Sequence, residues 1–164
     1  MVERVVSRAT LLALLDLTTK TLEHLAVLAS SIAKYCREER VVVDSESLNP
    51  HAELTLWLDN DPLSDVALSL SACRFDKLGY PEDGTVRVMA DGSIRWEGWG
   101  SGKYAEHTLK WVKENARREA EERAGRELTG DPVEDCARLW EWLAEDCLEE
   151  AQKLREKLRA YEAE

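Results

Sequence analysis

Apolar and polar positions change period twice along this chain, and the changes divide it into three parts. Over residues 1–40, apolar or small side chains recur at Leu12, Leu15, Leu22, Ala26, Ala29, Ala33 and Cys36. A second stripe runs beside the first at Leu11, Leu14, Leu25, Leu28, Ile32 and Tyr35. Steps of three and four residues predict one long helix, and two adjacent stripes give it an apolar face that needs covering on more than one side. Ser7 is placed to cap its start, the hydroxyl accepting a free backbone N–H of the first turn.

Residues 41–102 alternate with a period of two. Val41–Val43, flanked by Arg40 and Asp44, reads as a short strand, and in Glu53–Leu58 the leucines 54, 56 and 58 share one face. Asp59–Pro62 is a turn. Asp61-Pro62 also has the form of a helix start. However, Val66, Leu68, Leu70 and Ala72 alternate with Ala67, Ser69, Ser71 and Cys73, which favours a strand over 63–73. Val86–Glu97 reads as a hairpin about Asp91-Gly92, and a two-residue turn there pairs Met89 with Ile94 and Arg87 with Trp96. Nothing in this part requires a crossover helix, so the sheet is expected to be antiparallel.

Residues 103–164 return to the helical period. Ala105, Leu109, Val112, Ala116 and Ala120 outline one helix that stops near Gly125. Asp131-Pro132-Val133-Glu134 opens another, with Asp as cap, Pro first and Glu able to reach back to the cap. From Val133 a 4-3-4-3 seam continues through Ala137, Trp140, Ala144, Cys147, Ala151, Leu154 and Leu158 to Tyr161. Such a seam matches another helix. The partner is the N-terminal helix or a second copy, and a homodimer through the helices is expected. The fold class is therefore α+β, an antiparallel meander of four or five strands flanked by a long N-terminal helix and two C-terminal helices. It forms a single domain over 1–164, divided at 1–40, 41–102 and 103–164.

Composition narrows the function more than the fold. A chain of 164 residues that is 44% hydrophobic can fill one core, so a disordered or low-complexity chain is excluded. The net charge of −11 argues against a dedicated DNA or RNA binder, which needs cations to displace counterions from phosphate. Residues 41–102 carry −7 of that charge and 114–164 another −7, so the natural partner is a protein with a basic surface. The four cysteines form no Cys-x-x-Cys pair and read as buried, reduced thiols. Glu3 and Asp16 interrupt any secretory-signal pattern, and Asp16, Lys20 and Glu23 break the most apolar stretch. A cytoplasmic protein with no membrane span is expected.

Candidate chemistry gathers around one loop. Gly98–Tyr104 follows a strand and precedes a helix, yet it fails both phosphate-binding templates. Glu97 stands where the P-loop has its first Gly, Tyr104 replaces the Ser/Thr, and Lys103 occupies a fingerprint glycine. The loop reads as a flexible connection. Trp96, Trp99, Tyr104, His107 and Trp111 cluster about it; Trp96 and Trp111 suit the core, Trp99 between glycines reads either as a core plug or as the exposed anchor of a contact surface, and Trp96, Trp99, Tyr104 and His107 are the candidate contact residues. Asp59 and Asp61 join them as acidic contacts; with Asp65 they miss the calcium-loop pattern, because Leu63 and Ser64 stand where a ligand and a glycine are required. The three histidines lie in separate elements, and neither Gly-x-Ser-x-Gly nor His-Glu-x-x-His occurs. No catalytic residue, metal or cofactor is assigned. The reading is a non-enzymatic acidic interaction protein, an inhibitor or regulator that occupies a nucleic-acid-binding surface of its partner, as phage-encoded or defence-related regulators do. The alternatives are a small-ligand binder or enzyme with an aromatic pocket between sheet and helices, and a chaperone-like assembly subunit.

Overall fold

Helix α1 spans Arg8–Glu39 and begins where the sequence places its cap: Ser7 Oγ accepts the Thr10 N–H at 3.2 Å. It ends at Arg40, whose φ of 56° turns the chain directly into strand β1, Val41–Val43. The computed structural model describes residues 7–44, 66–89, 92–98, 105–123 and 125–163. Strands β2 (Val66–Phe75), β3 (Pro81–Met89) and β4 (Ile94–Gly98) complete an antiparallel meander in the order β1-β2-β3-β4. Over 66–73 the alternation does form a strand, which runs from Val66 to Phe75, whereas residues 61–65, with the helix-start signal at Asp61-Pro62, lie outside the described residues. The strand expected at 53–58 and the turn at 59–62 lie outside the described residues.

The β3–β4 register differs by one residue from the sequence expectation. Val88 pairs with Ile94, Arg87 with Arg95 and Val86 with Trp96. The turn is the cause. Met89 N–H donates to Ser93 O at 2.8 Å and Gly92 N–H to Met89 O at 3.0 Å, so three residues, not two, lie inside the loop. Gly92 takes φ 87°, the left-handed conformation that a three-residue hairpin loop needs. A one-residue slip exchanges the faces of a strand. Here it moves Ile94 and Trp96 onto the face of Val86 and Val88, both fully buried, and turns Arg87 and Arg95 outward.

Helix α2 spans Ala105–Glu122 and buries Ala105, Thr108, Val112 and Ala116. Helix α3 spans Pro132–Glu162, with Asp131 as the cap accepting Val133 N–H at 3.1 Å. Glu134 does not reach back to that cap. Its carboxylate instead takes two bonds from Arg37, Nε to Oε2 at 2.9 Å and Nη2 to Oε1 at 2.9 Å.

The seam of α3 finds its counterpart in the same chain. Arg8 bonds the Tyr161 carbonyl, Arg155 pairs with Glu23, Arg37 with Glu134 and Arg40 with Asp131, so α1 and α3 run antiparallel along their lengths. Small residues line the join: Ala26, Ala29 and Ala33 on α1, and Ala137, Ala144 and Ala151 on α3, all at most 4% exposed. Short side chains let helix axes approach closely. The double stripe of α1 is explained by this packing. One stripe meets α3, while the other carries Leu25, Leu28 and Ile32 into the core shared with Leu70, Val86 and Val88.

Helix α3 also closes one edge of the sheet. Asp44 N–H bonds Ser71 O at 2.9 Å within the β1–β2 ladder, leaving Val43 facing away from it. Trp140 Nε1 donates to Val43 O at 3.0 Å, and Cys136 Sγ stands 3.4 Å from both Val43 N and Val43 O. A strand edge left open invites pairing with another chain, and here a thiol and an indole cover it.

Candidate functional site: a groove between the two long helices

Of the residues singled out from sequence, two are described. Trp96 lies flat on the sheet: a Cβ on Gly84 would fall 2.3 Å from its Cζ2, and one on Gly98 2.8 Å from its Nε1. The Arg74 guanidinium stacks 5.0 Å from the ring centroid and bonds Glu82 at 3.4 Å. Trp96 therefore fills the space above a paired Gly84 and Gly98, packed against the core cluster. Its buried Nε1–H has no acceptor among the described residues. His107 is exposed in the first turn of α2. Trp99, Tyr104, Asp59 and Asp61 lie outside the described residues.

The acid of the sheet segment sits largely elsewhere than on the described strands. Across the described part of 41–102, five acids oppose four bases, so most of that segment's −7 falls on residues outside the description. The described acid is concentrated on α3 and its cap, where residues 131–150 hold eight acids and one base, Arg138.

Beside this acidic stretch an apolar groove opens between α1 and α3, lined by Ala26, Val27, Ser30, Ser31, Lys34 and Leu148. Val27 is 62% and Leu148 53% exposed, each in the middle of a long helix. Glu141 and Glu145 precede Leu148 by seven and three residues, which sets them on its side of α3 as an acidic rim. Both glutamates are ion-paired. Glu141 pairs with Arg37, and Glu145 with Arg126 at 2.9 Å and Arg123 at 3.6 Å. Both of those arginines flank the buried Trp142 ring, at 5.7 and 5.8 Å from its centroid. Asp135 accepts from Thr129 N at 2.9 Å and Thr129 Oγ1 at 3.0 Å, fastening the α2–α3 connection to the helix it precedes. The groove walls are thus fixed before anything binds.

The sequence carries only the two halves of this groove, far apart. Val27 and Leu148 are large apolar residues that fall off the buried stripes of their helices. Taken singly each is an unremarked exposed side chain, and only the antiparallel pairing of α1 with α3 brings them together.

The titratable groups are set for structure. A hydrogen bond that the neutral Cys36 thiol donates to the Cys136 sulfur, and after it burial, hold the Cys36 thiol well above its ordinary range. Burial pushes Cys73 up to about 12 and Cys147 up to about 11. Thiols kept neutral in this way are poor nucleophiles and poor metal ligands. Burial also lowers the pKa of His24. Among the described residues no group of three or more His, Cys, Asp or Glu is placed to hold a metal ion, and no described helix is long and apolar enough to cross a membrane. No known protein family, curated protein or solved structure matches this chain.

Proposed function

We propose that this chain is a non-enzymatic interaction protein that docks on a basic surface of another protein, as an inhibitor or regulator occupying a site meant for nucleic acid. The observation that carries the reading is the α1–α3 groove, in which two exposed apolar side chains lie against a helix stretch of eight acids and one base. Apolar residues supply contact area; Glu141 and Glu145 are already paired with arginines and Lys34 lines the groove, so what would attract lysine and arginine and repel phosphate is the net −7 of residues 131–150 as a whole. A basic amphipathic helix suits such a groove, its apolar side on Val27 and Leu148 and its cations toward the acidic stretch of α3.

The test is capture from nuclease-treated extract of the native host, with the wild-type chain and the double variant Val27→Arg/Leu148→Arg compared in parallel. Both positions are more than half exposed, so the variant folds. A partner is expected that binds the wild type, releases at about 0.5 M salt, where exposed charges are screened within a few ångströms, and exchanges against added nucleic acid. The variant should not retain it. A partner that binds both proteins equally, or that resists salt, would overturn the proposal.

A further inference from the structure

Two of the four cysteines meet where the C-terminal end of α1 packs on the N-terminal end of α3. The register there is set by charge, Arg37 pairing with Glu134 and Glu141, and Arg40 with Asp131. Cys36 and Cys136 lie inside that clasp, 0% and 1% exposed, and both are free thiols. The Cys36 thiol donates a hydrogen bond to the Cys136 sulfur, whose own thiol donates to Val43 O at 3.4 Å. The two sulfurs are thus in contact although their residues stand 100 positions apart. Neither of the other thiols is placed so well. Cys147 lies eleven residues along α3 from Cys136, about 16 Å at 1.5 Å per residue. Cys73 stands on β2 opposite Val42, and its link to Cys136 is electrostatic.

We infer that Cys36 and Cys136 are a redox pair, which a peroxide converts to a disulfide that locks α1 to α3. One thiolate attacks a peroxide oxygen and the O–O bond breaks, leaving a sulfenic acid and, with one proton, a first water. The second sulfur then attacks the sulfenic sulfur, so that an S–S bond forms and a second water leaves. Two thiols are oxidised by two electrons in all, and the peroxide is reduced to two waters. In the closed molecule both thiols are neutral and out of reach, so the first step waits for this junction to open locally. Arg37, the next residue in the chain, favours the Cys36 thiolate once its glutamate partners have moved away. When the helices dock again the two sulfurs return to contact. Ala33 and Ala137 beside them are short, so the helices can close the remaining distance to an S–S bond of about 2.05 Å. The bond removes the Cys136 donor without orphaning Val43 O, because Trp140 Nε1 still bonds that oxygen at 3.0 Å.

Peptide mapping of the full chain after treatment with hydrogen peroxide tests this. Trypsin puts each cysteine on its own peptide: Cys36 on 35–37, Cys73 on 41–74, Cys136 on 127–138 and Cys147 on 139–153. A species joining 35–37 to 127–138 is expected in the non-reduced digest of monomeric protein, and dithiothreitol should abolish it. The melting temperature of the oxidised chain should rise by roughly 5–15 °C, since a link across so long a span restricts the unfolded chain. Cys73→Ala should leave both the link and the rise in place, and Cys36→Ala should remove both. Cysteines recovered as free thiols or sulfonic acids, a link through Cys73 or between two chains, or a link with no rise in melting temperature would each overturn the inference. None of these results would touch the docking role of the groove.

Discussion

Val43 shows how single side chains hold this fold together. Its carbonyl takes the Trp140 indole N–H at 3.0 Å and lies 3.4 Å from the Cys136 thiol, both from a helix ninety residues away in sequence. Replacing Trp140 with Phe removes the indole donor and also leaves a cavity where the second ring lay, so about 2–3 kcal/mol of stability should be lost in urea denaturation, the bond's share being about 1 kcal/mol. A loss below about 1 kcal/mol would contradict both the bond and the burial. Gly84 is the counterpart in the sheet. Its missing Cβ is the space that Trp96 occupies, and a Cβ would also fall 2.7 Å from the Glu97 carbonyl oxygen. Gly84→Ala therefore forces an indole and a strand apart, an overpacking that costs about 1–3 kcal/mol. The near-ultraviolet tryptophan signal should change with it, and an unchanged signal would show that Trp96 rests elsewhere.

At the scale of elements, the N-terminus of α3 is fastened to the C-terminal end of α1 by charge. Arg37 lowers the Glu134 pKa and Arg40 lowers that of Asp131, in each case chiefly through a hydrogen bond to the guanidinium. A carboxylate whose folded pKa is depressed stabilises the fold above its unfolded value of about 4, and the contribution is lost as pH falls through the folded value. The melting temperature should therefore drop as pH falls below about 4, and Arg37→Gln should shrink that drop. Arg37, Glu134 and Asp131 are about one-third exposed and Arg40 is 61% exposed, so each pair is worth no more than about 1 kcal/mol. An identical acid profile in the variant would contradict the assignment. Elements were also what the sequence showed best. Ser7, Asp131 and the helical stripes located the helices because caps and periodicity are local. The hairpin register was not legible, because Gly92 permits both a two- and a three-residue loop, and burial of Ile94 and Trp96 decides between them only after the chain has folded. Glu134 was misread for a similar reason: a partner ninety-seven residues away is invisible to local pattern.

The described residues form two long antiparallel helices packed with a four-strand meander and a shorter helix. The α3 seam that suggested a partner is occupied by α1 along most of its length, and among the described residues the groove beside α3 is the surface proposed above for docking. The groove could not be read from sequence, because Val27 and Leu148 lie 121 positions apart and only the antiparallel pairing makes them neighbours. The central claim is that this groove receives a basic partner. Its most direct test is amide chemical-shift mapping of the full chain during titration with a synthetic amphipathic helix of lysine and leucine. Shifts concentrated at Ala26, Val27, Ser30, Ser31, Lys34 and Leu148, fading with added salt and absent in Val27→Arg/Leu148→Arg, are the predicted result. Binding that leaves those six amides unmoved, or no binding, would contradict the account.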